Sequence, residues 1–432
     1  MLCDNISVSA GGHLLFAGQD TVKLARKYKT PLYLLDEDKI RANCRMYKEA
    51  LARNFGAAST PLYASKANCF KRLYEIMREE DMSIDVVSPG EIYTALKAGY
   101  DPARAYFHSN NKTDEDIAYA LDNHIGCFVA DNIEEIRVIQ TEAQKRGIRQ
   151  KLLLRLTPGI DPHTFDAVAT GKADSKFGAA IETGQAEKIA LDTLTMPNID
   201  LRGFHCHVGS QIFAGEVFAR AAVIMLEFIA MMKEKHGFVT GELDLGGGFS
   251  VRYVESDPKP DIKQEVARIA AAVKSTCKQL GIDIPVIHME PGRSIIADAG
   301  MVLYTVGAVK HIPGCKNFVS IDGGMADSPR HALYKAAYTC LTANKMNEEA
   351  IFKATLAGRC CESGDILQED VMFPASVARH DIVAVCTAGA YHYSMASNYN
   401  RLPKPATVML AGGGSYVAVR RETLADIVRN DA

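Results

Sequence analysis

Short apolar, β-branched runs recur along the first two thirds of the chain at fairly even spacing. They are PLYAS (61–65), SIDVVS (83–88), AYFHS (105–109), GCFVAD (126–131), KLLLRLT (151–157), LRGFHCHVG (201–209), ELDLGGG (242–248) and PVIHMEPG (285–292). Between them lie stretches whose apolar residues step by three and four, such as FKRLYEIMREED (70–81), NIEEIRVIQTEAQKRG (132–147) and KQEVARIAAAVKSTCKQLG (263–281). The last two end in glycine, a helix-stop signal. Strands that are apolar on both faces and alternate with helices predict a parallel sheet. Eight such units in roughly 250 residues is the size of a (β/α)8 barrel. An open doubly wound sheet competes with it; the count of eight and the polar groups gathered at one end of the runs favour the barrel.

From about Met301 the texture changes. MVLYTVGAVKHI, NFVSID, IFKATLAG, ILQEDVMF, IVAVCTAGAY, ATVMLAGG and SYVAVRRE are strand-like runs broken by turn residues, with few long helical patterns left. They predict a mainly β domain of sandwich or Greek-key type. The N-terminal runs HLLFAG and PLYLLD, with no helix between barrel-like neighbours, complete that domain. The expected organisation is 1–36 as strands of the β-domain, 37–290 as the barrel and 291–432 as the rest of the β-domain.

Composition removes several classes of function. Lys+Arg 49 against Asp+Glu 52 gives a formal charge of −3 with no basic block, so no nucleic-acid footprint is expected. The longest apolar run, 221–232, is broken by Glu227 and is too short for a membrane span of roughly 20 residues. The opening MLCDNISVSAGG lacks the basic flank and apolar core of a secretory signal. Eleven cysteines without metal-type CxxC pairs fit a reduced, cytoplasmic protein better than a disulfide scaffold.

The chemically odd residues cluster at the C-terminal ends of the runs, the face that carries the active site of barrel enzymes. Lys66 ends the first run, Asp85 and Ser88 lie in the second, and Arg155 closes the fifth. His207 and Ser210 close the sixth, Gly246, Gly247 and Gly248 the seventh, and Glu290 with Pro291, Gly292 and Arg293 the eighth. Taken singly, each has a plain reading. A lysine after a strand is usually a surface lysine, three glycines usually make a tight turn, and a histidine is as often structural. Together they mean more. Glycines at the seventh and eighth ends suit a phosphate. A lysine held in the barrel mouth can have its amine made nucleophilic enough for a Schiff base. A carboxylate at an apolar strand end needs a cationic partner, which a protonated pyridine nitrogen would be. His207 can lie against an aromatic ring. The set describes a pyridoxal phosphate pocket, and no HExxH or CxxC spacing argues for a metal.

The motifs YASKAN (63–68), SIDVVSPGE (83–91), TGKADSKFG (170–178), HCHVGSQI (205–212), LDLGGGFSVRY (243–253), EPGRSI (290–295), CCESGD (360–365) and GAYHYSMASNYN (389–400) occur in unbroken order over nearly the whole chain. In this it resembles the barrel-type (fold type III) pyridoxal phosphate decarboxylases, and within them the diaminopimelate decarboxylase branch. The resemblance implies Lys66 as the Schiff-base lysine, His207 stacked on the cofactor and Glu290 on its ring nitrogen. Gly246 to Gly248, Ser210, Gly292 and Tyr391 would surround the phosphate, with Asp85, Arg155, Pro291 and Arg293 also lining the cofactor. Arg293, Arg330, Tyr334 and Tyr391 would bind substrate. Cys361 would be the proton donor and Glu362 would meet the distal amine, both reaching the site across a homodimer interface.

The implied reaction is decarboxylation of meso-2,6-diaminopimelate to L-lysine and CO2, the last step of lysine biosynthesis. Ornithine decarboxylases typically carry Cys-Asp-Gly where this chain has Cys361-Glu362-Ser363, and they need no cation such as Arg330 for a distal carboxylate. The chain departs from the family pattern at His331 and Arg359, where proline is usual; these changes bear on substrate preference more than on cofactor binding. The alternatives are a decarboxylase of another diamino acid (D-ornithine, D-lysine, arginine or carboxynorspermidine) and, more remotely, a non-catalytic binding relative.

Overall fold

Every one of the eight apolar runs forms a strand. The computed structural model describes residues 2–160 and 175–432 and contains two compact units. One comprises Asn43–Ser250 and Pro260–Arg293. Its strands Leu62–Ala64, Ser83–Val86, Ala105–Phe107, Cys127–Ala130, Gln150–Thr157, Ile199–His205, Glu242–Asp244 and Val286–His288 run parallel, each bonded to the next. The eighth returns to the first: Pro61 bridges Met289, and the Leu62 N–H donates to the Met289 carbonyl at 2.8 Å. The nearly closed ring is the expected (β/α)8 barrel.

Local chemistry explains the alternation. Cys127–Ala130 is buried at every position, as a strand enclosed on both faces requires. The helix Ile133–Lys145 begins where the Asn132 side chain accepts the Glu135 N–H at 2.9 Å, and Gly147 follows it at φ 63°. Helix Ile262–Leu280 likewise starts on the Asp261 carboxylate and stops at Gly281 in the left-handed region. Helix Glu216–His236 holds the longest apolar run; among the described residues no helix is long and apolar enough to cross a membrane.

The other unit comprises Met1–Ala42, Val251–Lys259 and Ser294–Ala432. All seven later runs are strands: Gly300–His311, Asn317–Ile321, Ala350–Ala357, Ile366–Pro374, Ile382–Cys386, Ala406–Ala411 and Gly414–Val419. They form one mixed sheet, and Leu32–Asp36 is inserted in its middle. That strand pairs antiparallel with Gly300–Leu303 and parallel with Ala406–Leu410. Leu32, Leu34, Met301, Leu303, Ala384 and Val408 build the core with Ile6, Leu14 and Phe16.

Three details differ from expectation. The HLLFAG run joins a separate small sheet of Ile6–Val8, Leu14–Phe16 and Gln19–Asp20 instead of the main one. A helix, Thr21–Tyr28, does stand between HLLFAG and PLYLLD, started by the Asp20 carboxylate accepting the Val22 and Lys23 N–H groups. Cys340–Thr342 is an extra strand beside Ile382–Cys386; three residues are too few to show alternation.

Candidate functional site

The polar ends of the barrel strands converge. Lys66 follows the first strand in a single turn, Ser65–Ala67, whose other two residues are buried. Lys66 itself is exposed and within electrostatic reach of Asp85, Glu91 and His207. That turn is held against the eighth strand end, where the Ala64 N–H donates to the Pro291 carbonyl at 3.3 Å. A Cβ on Gly292 would come within 2.9 Å of the Ala64 Cβ, so glycine is needed for the close approach.

At the centre is Glu290, 4% exposed. His108 Nε2 lies 2.9 Å and His205 Nε2 3.3 Å from its Oε1. Burial alone would raise the Glu290 carboxyl, but the attraction of His108 and His205 outweighs it and holds the group well below the usual carboxylate range. Burial lowers the His205 imidazole to about 4. Asp85 sits beside them, 1% exposed and 4.0 Å from His108 Nε2; burial pushes its carboxyl up. Asp244 is also buried, and burial with the nearby Glu290 pushes its carboxyl well up. Glu290 is therefore the group of the cluster most favoured to carry negative charge, and Asp244 the one most favoured to hold a proton.

Several of these buried atoms have no aligned hydrogen-bond partner: both Asp85 oxygens, Glu290 Oε1, Asp244 Oδ2, His108 Nε2 and both His205 ring nitrogens. Such a group of orphans in a native core marks a place where a polar ligand belongs. The ligand atoms of His108, His205 and Glu290 lie within 4.8 Å of one another, a spacing that also suits a metal ion.

The glycine turn lies alongside. Gly246 N–H donates to Asp244 Oδ1 at 2.8 Å and Gly247 N–H to His207 Nδ1 at 3.1 Å. His207 is therefore a neutral tautomer protonated on Nε2; burial and the charges of Lys66 and Arg155 push its imidazole well below the ordinary value. The described hydrogen bonds leave the N–H groups of Gly248 and Gly292 for an anion. A Cβ on Gly247 would meet the Glu290 carbonyl at 2.1 Å. Arg293 donates to Ser210 Oγ at 2.9 Å through Nη2, and Arg155 lies over the Phe177 ring at 4.2 Å. Of TGKADSKFG, residues 170–174 lie outside the described residues.

The remaining candidates belong to the β unit. Arg330, 8% exposed, donates from Nε to the Tyr338 hydroxyl at 2.8 Å and stands over the rings of Tyr334 and Tyr391 at 5.3 and 5.2 Å. No carboxylate pairs with it among the described residues. Cys361 is exposed, its N–H held by Asn400 Oδ1 at 2.7 Å, and Glu362 Oε1 accepts the Gly364 N–H at 3.2 Å. Its neighbour Cys360 is buried, and burial beside Asp365 pushes that thiol up to about 11. His331 Nδ1 bonds the Ala336 carbonyl, and the Arg359 N–H donates to the Gly323 carbonyl. Sequence reasoning missed His108, His205, Asp244 and Tyr338. The first three end apolar runs on the same side as Lys66, and that shared position was the available signal.

An orphaned acid flanked by imidazoles, an amine at the neighbouring strand end and a glycine turn fit pyridoxal phosphate: Glu290 for its ring nitrogen, Lys66 for its aldehyde, and Gly248 with Gly292 for its phosphate. Fold and site define a barrel-type pyridoxal-dependent decarboxylase. The family described as pyridoxal-dependent decarboxylase, pyridoxal binding domain, matches residues 37–297, and the chain belongs to it. Within that family it is similar to diaminopimelate decarboxylases. The enzyme of that name from Bacillus subtilis (strain 168) is 43% identical over 420 residues, covering 97% of this chain and 95% of its own. The crystal structure of diaminopimelate decarboxylase from M. jannaschii in complex with L-lysine matches with a TM-score of 0.90 at 30% identity, covering 99% of this chain and 98% of that one. The lysine/ornithine decarboxylase of Vibrio vulnificus, complexed with cadaverine, matches less well, with a TM-score of 0.77 at 25% identity over 94% of this chain and all of that one.

Proposed function

We propose that this protein removes one α-carboxylate from meso-2,6-diaminopimelate in a pyridoxal phosphate-dependent reaction, leaving L-lysine and CO2. The observation that carries the substrate is Arg330. A buried guanidinium with no carboxylate partner among the described residues is costly unless an anion arrives to meet it. A diamino acid with a second carboxylate supplies that anion; ornithine does not.

When bound, pyridoxal phosphate supplies an aldehyde for the substrate amine and a sink for the electron pair left by the departing carboxylate. The chain's residues do the rest. Lys66 Nζ would hold the cofactor's aldehyde, and Lys66 is exposed, so a substrate amine could reach the same place. Glu290, held below the usual carboxylate range beside His108 and His205, would keep a proton on the ring nitrogen. In a water-poor cluster that attraction is stronger than in bulk, because Coulomb energy varies inversely with dielectric. His207, held by the Gly247 N–H and neutral, would present its face and not a charge to the ring. Asp85, Arg155 and Pro291 would shape the ring pocket, and Ser210 with Arg293 would border the phosphate.

Arg330 takes the carboxylate that stays on the product, between Tyr334 and Tyr391. Cys361 Sγ delivers the proton that replaces CO2, and Glu362 accepts the distal ammonium. Both act on the site of a second copy of the chain, so the working form is a homodimer, in the cytoplasm. Support for this comes from the exposure of Cys361 and from the family resemblance.

The test is a CO2-release assay on purified, cofactor-loaded protein. It offers meso-diaminopimelate and, in competition, D-ornithine, D-lysine, arginine and carboxynorspermidine. Preferred turnover of diaminopimelate with stoichiometric L-lysine is expected. Preference for any competitor overturns the substrate assignment.

A further inference from the structure

Arg330 sits on a helix of only five residues, Arg330–Tyr334, which ends at Lys335 with φ 53°. So short an element does not hold a long side chain in place by itself. The guanidinium is instead gripped from outside the helix. Its Nε donates to the Tyr338 hydroxyl at 2.8 Å, and the rings of Tyr334 and Tyr391 lie near it. No described hydrogen bond uses Nη1 or Nη2. Fixing Nε sets the plane of the fork and leaves the paired terminal N–H groups for a carboxylate, which is the arrangement a two-point contact needs.

Tyr338 is itself tightly held. It is 4% exposed, its backbone N–H donates to Gln368 Oε1 at 2.9 Å, and its ring stands edge-on to Tyr253 and to His392, each at 5.1 Å. His392 is fixed in turn by Ser328 Oγ at 2.8 Å from its Nδ1. Ser328 lies just before the Arg330 helix and His392 just after Tyr391. One buried phenol thus joins the two segments that carry Arg330 and Tyr391.

We infer that Tyr338 is a positioning residue: it orients Arg330 for the carboxylate that the reaction leaves in place, and so sets the preference for diamino acids with two carboxylates. This rests on the reading of Arg330 given above. His331, which stands where the family usually has proline, closes the turn between them through the Ala336 carbonyl at 3.0 Å. The geometry at Arg330 is therefore kept by a hydrogen bond instead of a ring constraint.

The experiment compares Tyr338→Phe with Arg330→Ala in the cofactor-loaded enzyme. Tyr338→Phe keeps the ring and its packing and removes only the hydroxyl. KM for meso-diaminopimelate is expected to rise about tenfold, as for loss of one hydrogen bond to a charged group. The inhibition constant of L-lysine, which retains the same carboxylate, should rise by a similar factor. The kcat and the cofactor dissociation constant should stay close to wild type. If KM and the inhibition constant are unchanged in Tyr338→Phe but raised in Arg330→Ala, Tyr338 has no such role. If both variants leave KM unchanged, the reading of Arg330 fails and the inference falls with it. A parallel loss of cofactor affinity in Tyr338→Phe would mark general loosening and also overturn the proposal.

Discussion

Replacing Glu290 by glutamine removes one charge and almost no volume from the buried cluster. The magnitude follows from the distances. Between unit charges at the 2.9 Å separation of His108 Nε2 and Glu290 Oε1, an effective dielectric of about 20 gives about 6 kcal/mol; at ~4 Å it gives about 4 kcal/mol. A protonated ring nitrogen facing position 290 therefore loses about 4 kcal/mol of support, which at ~1.36 kcal/mol per decade is a thousandfold fall in kcat. The assay is CO2 release at saturating substrate, with cofactor occupancy followed separately by its visible absorption. Glu290→Gln should retain cofactor, since Lys66 and the glycine turn are untouched. A kcat within tenfold of wild type, with cofactor bound, would refute the assignment of ring protonation to Glu290.

Mixing separately inactive Lys66→Ala and Cys361→Ala chains should restore turnover in hybrid dimers; no recovery after verified subunit exchange argues that each chain completes its own site. Gly247→Ala places a methyl 2.1 Å from the Glu290 carbonyl, so thermal stability should fall by about 1–3 kcal/mol and cofactor binding should weaken. Unchanged melting and affinity would show the turn to be slack. Asp327 is 5% exposed, and burial raises its carboxyl to about 7 despite a 2.6 Å hydrogen bond from Tyr304. The folded state thus binds this proton more tightly than the unfolded state, so its contribution is complete below about pH 4 and is lost as pH rises to about 7. Asp327→Asn should flatten that decline in unfolding measurements at pH 5 and pH 8; an unaltered slope contradicts it.

Much of the barrel was legible because its strands are buried on both faces and so form unbroken apolar runs, and because Gly147 and Gly281 mark where helices stop. Of the later strands only Ile382–Cys386 is buried throughout; Ala350–Ala357, Ile366–Pro374 and Gly414–Val419 are partly exposed and show instead as β-branched runs bounded by turn residues. What escaped was short or depended on convergence. Cys340–Thr342 is too brief to alternate, and helix Thr21–Tyr28 was hidden between two strong strand signals. The site was visible where a residue type is chemically odd for its place, as with Lys66 and Glu290. His108 and His205 read as ordinary ends of runs, since their meaning lies in sharing one oxygen of a residue far away in sequence. Tyr338 gave no signal, because an aromatic at that point looks like packing. The glycine run points to a phosphate, but Gly246 and Gly247 spend their N–H groups on Asp244 and His207.

The strand Leu32–Asp36 leaves the ribosome among the first parts of the chain, yet both of its neighbours, Gly300–His311 and Ala406–Ala411, are translated only after the whole barrel. The barrel can close while synthesis continues; the sheet must wait for nearly the last residues. During that interval a wholly apolar ribbon, Leu32 to Leu35, has nothing native to pair with and is open to pairing with another nascent chain. A chain cut before Ala406 therefore lacks more than a tail: Leu32–Asp36 loses its parallel neighbour and keeps an open edge.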